Sequence, residues 1–124
     1  MPDITHRQDI NQLVTAFYAK ATNDETIGYV FTEVARLNLE AHLPVICDFW
    51  EGILLGKPVY RGNPMLKHLE LADKTALTQV HFEVWLAMWE QTVREHFAGE
   101  KAELAVRRAQ DIGRLMLHKI DQRR

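Results

Sequence analysis

From Gln8 to Lys20 the apolar residues Ile10, Leu13, Val14, Phe17 and Ala21 recur at steps of three and four. That period predicts an amphipathic helix with one buried face. Thr5 with Gln8 three residues later is placed to form a capping box. Asn23-Asp24-Glu25 closes the helix, and a short helical piece follows with Ile27, Val30, Phe31 and Val34 on one side. A third segment runs from about Leu39 to Leu55, with Leu39, His42, Leu43, Ile46, Phe49, Trp50, Ile53 and Leu54 as a broad inward face. Pro44 interrupts it. A proline in a helix interior costs about 3 kcal/mol, so Pro44 is expected in the first turn or at a kink.

Gly56-Lys57-Pro58 ends that segment. Gly62-Asn63-Pro64 starts another, with Asn63 as N-cap and Pro64 at the first helical position of a short helix reaching about Leu71. Asp73-Lys74-Thr75 is a connection, and Thr78 reads as N-cap of a long helix from Gln79 to Phe97 carrying Phe82, Trp85, Met88, Trp89 and Val93. Gly99 fits the stop. A last helix is expected from about Lys101 to Ile120, with Leu104, Ala105, Ala109, Ile112, Leu115 and Met116 inward. Its basic end, Lys119, Arg123 and Arg124, suits the negative end of the helix dipole. No useful stretch alternates in a strand period. The expectation is an all-α single domain over 1–124 with about six helices.

Composition narrows the function classes. The chain has 124 residues, 47% hydrophobic and 26% charged, which is ordinary globular usage and not that of a disordered chain. A net charge of −2 argues against a nucleic-acid binder. No apolar run approaches the roughly 18 residues of a membrane span, and no secretory signal precedes the first helix. A cytoplasmic location is the expectation. A single cysteine, Cys47, excludes an internal disulfide and any CxxC or CxxCH site. Without a heptad seam, a monomer is the default.

Six histidines and three tryptophans are many for this length. No histidine pair has the HxxxH spacing of a helical zinc site, and no phosphate loop or nucleophile elbow occurs. His42 lies on the apolar stripe of the third segment, and His68 sits mid-way along the short helix opened by Asn63-Pro64. Each alone reads as a half-buried structural histidine. Together, in aromatic-rich surroundings, they suggest a flat apolar ligand between helices, which a haem would be.

Several segments carry a resemblance: Phe17-Tyr18, Phe31, Ala41-His42-Leu43-Pro44, Asp48-Phe49-Trp50-Glu51, Leu54-Leu55-Gly56, Tyr60-Arg61-Gly62-Asn63-Pro64, His68-Leu69 and Phe82-Glu83-Val84-Trp85. The chain resembles the third group of bacterial truncated haemoglobins from about Ile10 to Met116. The glycine pairs of the other two groups are absent, since none of the six glycines neighbours another. The stretch between Tyr18 and His42 is short for the family, and that between His68 and Trp85 is long.

The resemblance implies a truncated globin fold, two layers of helices around a non-covalent haem b. His68 matches the proximal histidine, the protein ligand of iron, with its other ring nitrogen expected to donate to a backbone carbonyl near Pro64. His42 matches the distal histidine, which donates to bound ligand, gates access or coordinates iron; the sequence leaves these open. Tyr18 matches the distal tyrosine, with Phe17 read as core beside it. Trp85 matches the tryptophan of the penultimate helix, a second donor. Phe31, Ile46, Phe49, Trp50 and Met116 are expected along the haem pocket, while Trp89, like Trp50, has the character of a packing residue. Tyr60, Arg61 and Lys67 are the candidates for the propionates, and His81 is a further one at the edge.

The function implied is binding of O2 or another diatomic ligand at iron. Two donors slow its release and polarise it, which favours nitric oxide or peroxide handling or sensing over bulk oxygen transport and leaves a reductase open as a partner. The alternatives are a haem-free helical interaction domain and a peroxidase-like haem enzyme.

Overall fold

The structure is a computed structural model that describes residues 1–34, 39–57 and 77–122. Four α-helices and one π-helical turn make up the described elements: α1 (Arg7–Ala21), the turn Val30–Val34, α2 (Leu39–Leu55), α3 (Gln79–His96) and α4 (Glu100–Gln122). No strand occurs among the described residues. α1 packs on α2 and on α3, α3 packs on α4, and α2 touches α4. The result is two layers, α1 with α2 and α3 with α4. No described helix is long and apolar enough to cross a membrane.

The α1 stripe behaves as its period predicts: Ile10, Leu13, Val14, Phe17 and Ala21 are all buried. Its cap is shifted by one residue. His6, not Thr5, is the N-cap residue, and Asp9 at the third helical position accepts the backbone N–H groups of Thr5 (2.9 Å) and His6 (3.1 Å). Beyond the helix, Asp24 Oδ2 accepts the N–H groups of Thr26 and Ile27. The short helical piece expected after α1 is present as a single π-helical turn.

α2 has the predicted bounds, and Cys47, Trp50 and Leu54 are its buried apolar residues. Pro44 lies inside the helix, neither in its first turn nor ending it. Its ring is exposed, and its carbonyl accepts a hydrogen bond from Arg7 Nη2 at 3.2 Å. Arg7 Nη1 also donates to Asp48 (2.7 Å) and Glu51 (3.0 Å), which ties the head of α1 to the middle of α2. Gly56, with φ +70°, supplies the left-handed residue that ends α2.

Thr78 is the N-cap of α3 as expected, with His81 as its capping partner. α4 runs slightly longer than its apolar pattern and starts with Glu100. Its first N–H groups are satisfied from far away in sequence. Asp3 accepts those of Lys101 and Ala102, each at 2.9 Å. Gly99 (φ +135°) passes so close that a Cβ there would sit 2.5 Å from Asp3 Cγ. Ile4 is fully buried behind this contact. Leu115 departs from its predicted place: it is 50% exposed. It lies about 100° from Met116 around the helix, off the edge of the buried stripe.

The short helix expected after Asn63-Pro64, the connection Asp73-Lys74-Thr75, and Arg123 and Arg124 lie outside the described residues.

Candidate functional site

The two layers do not close on each other completely. A cavity of about 130 Å³ lies between them. α1 contributes Phe17 and Tyr18, and the segment after it contributes Ile27, Val30 and Phe31. α2 contributes Ile46, Phe49 and Trp50. Leu77 and the α3 residues His81, Phe82, Trp85 and Trp89 form the facing wall, and Ile112 and Met116 reach in from α4. The helical period explains the convergence: Ile46, Phe49 and Trp50, or Phe82, Trp85 and Trp89, repeat every three or four residues and share one face.

Aromatic rings set the shape. Phe17 meets Tyr18, Trp85 and Trp89 edge-on, at centroid distances of 5.3, 6.4 and 5.3 Å. Trp50 and Trp89 stack at 4.7 Å with planes 20° apart. Phe31 stands edge-on to Tyr18 at 5.6 Å. The Trp89 indole N–H is committed to packing, since it donates to the Ala105 carbonyl at 3.2 Å. Such a wall suits a flat, largely apolar ligand, and the residues present fit a haem.

The polar groups are few and placed. Tyr18 is 8% exposed, and its hydroxyl lies 3.2 Å from His42 Nε2. Burial, with a smaller push from Cys47 nearby, holds the phenol well above the usual tyrosine range. It is therefore a neutral O–H donor at any physiological pH. His42 is half-buried and meets Tyr18 edge-on at 5.6 Å without itself lining the cavity. On the opposite wall, His81 Nε2 lies 3.0 Å from the Tyr29 hydroxyl. Cys47 is buried, and burial pushes its thiol up, so it behaves as a small apolar residue. No group of three or more potential metal-ligating side chains occurs among the described residues.

Of the residues singled out by sequence, Tyr18, Trp85, Phe31, Ile46, Phe49, Trp50 and Met116 come together on this one cavity. His42 joins them through Tyr18. His68, Tyr60, Arg61 and Lys67 lie outside the described residues. Phe17 was expected as core and Trp89 as packing; both are buried, and both also line the cavity. Adjacent residues on α1, Phe17 and Tyr18, both reach it. Ile27, Val30, Phe82 and Ile112 carried the right signal, an inward position at helical spacing, but nothing to mark them as wall rather than core. Leu77 carried no signal at all.

Comparison with known proteins agrees with this geometry. The family model described as bacterial-like globin matches residues 3–118. The chain is 32% identical over 110 residues to the group 3 truncated hemoglobin ctb of Campylobacter jejuni, covering 86% of this chain and 84% of that protein. The crystal structure of the group III truncated hemoglobin from Campylobacter jejuni superposes with a TM-score of 0.84 at 28% identity, over 97% of this chain and 95% of that one.

Proposed function

The chain belongs to the bacterial-like globin family, and from that membership, which carries haem-based ligand binding with it, we propose that this cavity holds a haem b whose diatomic ligand is met by Tyr18. The observation that carries the proposal is the buried Tyr18 hydroxyl on an otherwise apolar, aromatic wall, paired with His42 Nε2 at 3.2 Å. Haem supplies an iron coordination position for O2 or another diatomic molecule.

The chain's own residues do the rest. Phe31, Ile46, Phe49, Trp50 and Met116 bury the macrocycle and exclude water. His68 is the proposed protein ligand of iron, on its match to the family motif, and Tyr60, Arg61 and Lys67 are proposed near the propionates. Tyr18 donates its O–H toward the ligand, and Trp85 supplies an indole N–H as a second donor. His42 orients the Tyr18 hydroxyl through their shared hydrogen bond. Haem is held without a covalent link, because the one cysteine is buried in α2 and no CxxCH occurs.

Two donors around the ligand retain it, which favours chemistry on the ligand, such as nitric oxide or peroxide handling, over rapid carriage of oxygen. The test is the absorption spectrum of the purified chain with added haem, in ferric, ferrous and CO-bound forms. A Soret band near 400 nm that His68→Ala abolishes is expected. A protein that stays colourless after haem addition overturns the proposal. An O2 dissociation rate as fast as that of an oxygen carrier overturns the part concerning ligand chemistry.

A further inference from the structure

Charge sets the outer face of α4 apart. Between Leu104 and Ile120 the chain carries the cations Arg107, Arg108, Arg114 and Lys119 against one carboxylate, Asp111, although its net charge is −2. All of these, and His118, are exposed. The helix dipole accounts for Lys119, which lies in the last turn, but its influence does not reach back to Arg107 and Arg108. Arg114 donates to Asp111 at 2.7 Å. Arg107 lies near Glu103, a carboxylate that Arg94 already binds. Arg108 and Lys119 form no ion pair among the described residues.

Leu115 stands among these charges and is half exposed. By helical spacing its surface neighbours are Arg108 and Asp111 on the turns before it and His118 and Lys119 on the turn after. On its inner flank the neighbour is Ile112, three residues earlier and half-buried. Ile112 and Met116 both line the cavity. Residues 112–116 are therefore at once cavity wall and the centre of an exposed basic face. An apolar anchor ringed by cations is complementary to an acidic protein surface. A nucleic acid would use the cations but leave Leu115 without a role. A membrane surface needs a broad apolar face, and Ala105, Ala109, Met116 and Ile120 are already committed to the core.

We propose that this face of α4, centred on Leu115, docks a small acidic electron-carrier protein, which delivers its electron through the α4 wall of the cavity. The inference rests on the haem reading above. O2 binds ferrous iron, so iron left ferric by chemistry on the ligand has to be reduced again. The carrier loses one electron and ferric haem gains it to become ferrous; no bond is made or broken. Opposite charges speed the encounter, and a small contact lets the spent carrier leave.

The test titrates the haem-loaded full-length chain with an acidic [2Fe–2S] ferredoxin in a calorimeter, at ionic strengths of about 20 mM and about 300 mM. Binding is expected at low salt and is expected to weaken about tenfold or more at high salt. Arg108→Glu is expected to weaken low-salt binding by about tenfold. Lys57→Glu reverses an exposed cation beyond the end of α2, with the same change in net charge, and is expected to leave binding within about twofold. Leu115→Ser weakens binding at both ionic strengths. On rapid mixing with reduced ferredoxin, the Soret band is expected to report slower haem reduction in Arg108→Glu, with reduction by dithionite unchanged. Absence of binding, equal weakening by Arg108→Glu and Lys57→Glu, or full affinity in Leu115→Ser overturns the docking surface. Weakened binding with an unchanged rate of reduction by ferredoxin overturns the delivery of the electron. A chain that shows no Soret band after haemin addition fails at the haem reading itself, before any carrier is added.

Discussion

The Tyr18 hydroxyl and His42 Nε2 lie 3.2 Å apart across the α1–α2 interface. Replacing Tyr18 by Phe keeps the ring, and with it the edge contacts to Phe17 and Phe31, but deletes the hydroxyl. A lost donor to bound ligand is worth about 1–2 kcal/mol, or roughly five- to thirtyfold in its rate of release. The O2 dissociation rate of Tyr18→Phe, measured by displacement with CO, is expected to rise by that factor. An unchanged rate removes Tyr18 from the ligand-binding role.

All three tryptophans of the chain, Trp50, Trp85 and Trp89, line the cavity. A haem bound there lies against every indole. Tryptophan emission is expected to fall steeply as haem is added and to level off at one haem per chain. Strong emission that survives saturation places the haem elsewhere.

Arg7 joins Asp48, Glu51 and the Pro44 carbonyl in one fork. The Glu51 side chain is only 8% exposed, while those of Arg7 and Asp48 are 39% and 35% exposed. Water therefore screens part of the network, and Arg7→Ala is expected to cost about 1–3 kcal/mol, mostly by leaving Glu51 unpaired. Arg7→Lys recovers only a fraction, because an ammonium lacks the fork. Urea unfolding reads both as a lower midpoint with an unchanged slope.

Burial pushes the Asp3 carboxyl up, but the backbone N–H groups of Lys101, Ile4 and Ala102, aided by the Lys101 charge, together hold it below the usual carboxylate range. A folded pKa below the unfolded one gives stability that is fully present above the unfolded value. It is lost as pH falls through the folded value. Asp9 is lowered likewise, chiefly by the Thr5 N–H. Stability is thus expected to hold near neutrality and to decline below about pH 4. Asp3→Ala is expected to lose about 1 kcal/mol at pH 7 and to show a shallower acid limb in thermal melts from pH 7 to pH 3.

Pro44 sits in the interior of α2 with its ring exposed. Alanine there restores a backbone N–H within reach of the Glu40 carbonyl and leaves the carbonyl that Arg7 uses. Part of the roughly 3 kcal/mol proline penalty is offset by the stiffer unfolded chain. Pro44→Ala is expected to stabilise by about 1–2 kcal/mol in chemical denaturation; a destabilised variant shows that the ring itself packs.

The helices that bury a long stripe were legible in the sequence. α2 ends where its apolar pattern ends, and Thr78 marks the start of α3. What escaped depends on partners distant in sequence or on local dihedral choice. The cap of α1 fell on His6 because backbone conformation, not residue preference, selects the N-cap. The spacing after α1 showed a short helical piece but not its π winding, which five residues are too few to reveal. Asp3 offered no sign that it would cap α4, since its partners lie 98 and 99 residues away. At the cavity, Tyr18, Phe31 and Trp85 were legible through the family motif. Phe17 and Trp89 were not, because an inward aromatic looks the same in sequence whether it faces a neighbour or a void.

The clasp between Asp3 and the head of α4 also bears on how the chain reaches its fold. α1, α2 and α3 can pair as soon as each exists, but α4 lacks its first acceptors until residues nearly a hundred positions apart have met. Closing a loop of that length is slow relative to hairpin-like helix pairing, though its entropic penalty grows only as the logarithm of length. The clasp is therefore expected to form after the transition state. Its removal should leave the refolding rate almost untouched and quicken unfolding, so Asp3 acts on how long the folded state lasts more than on how fast it is found.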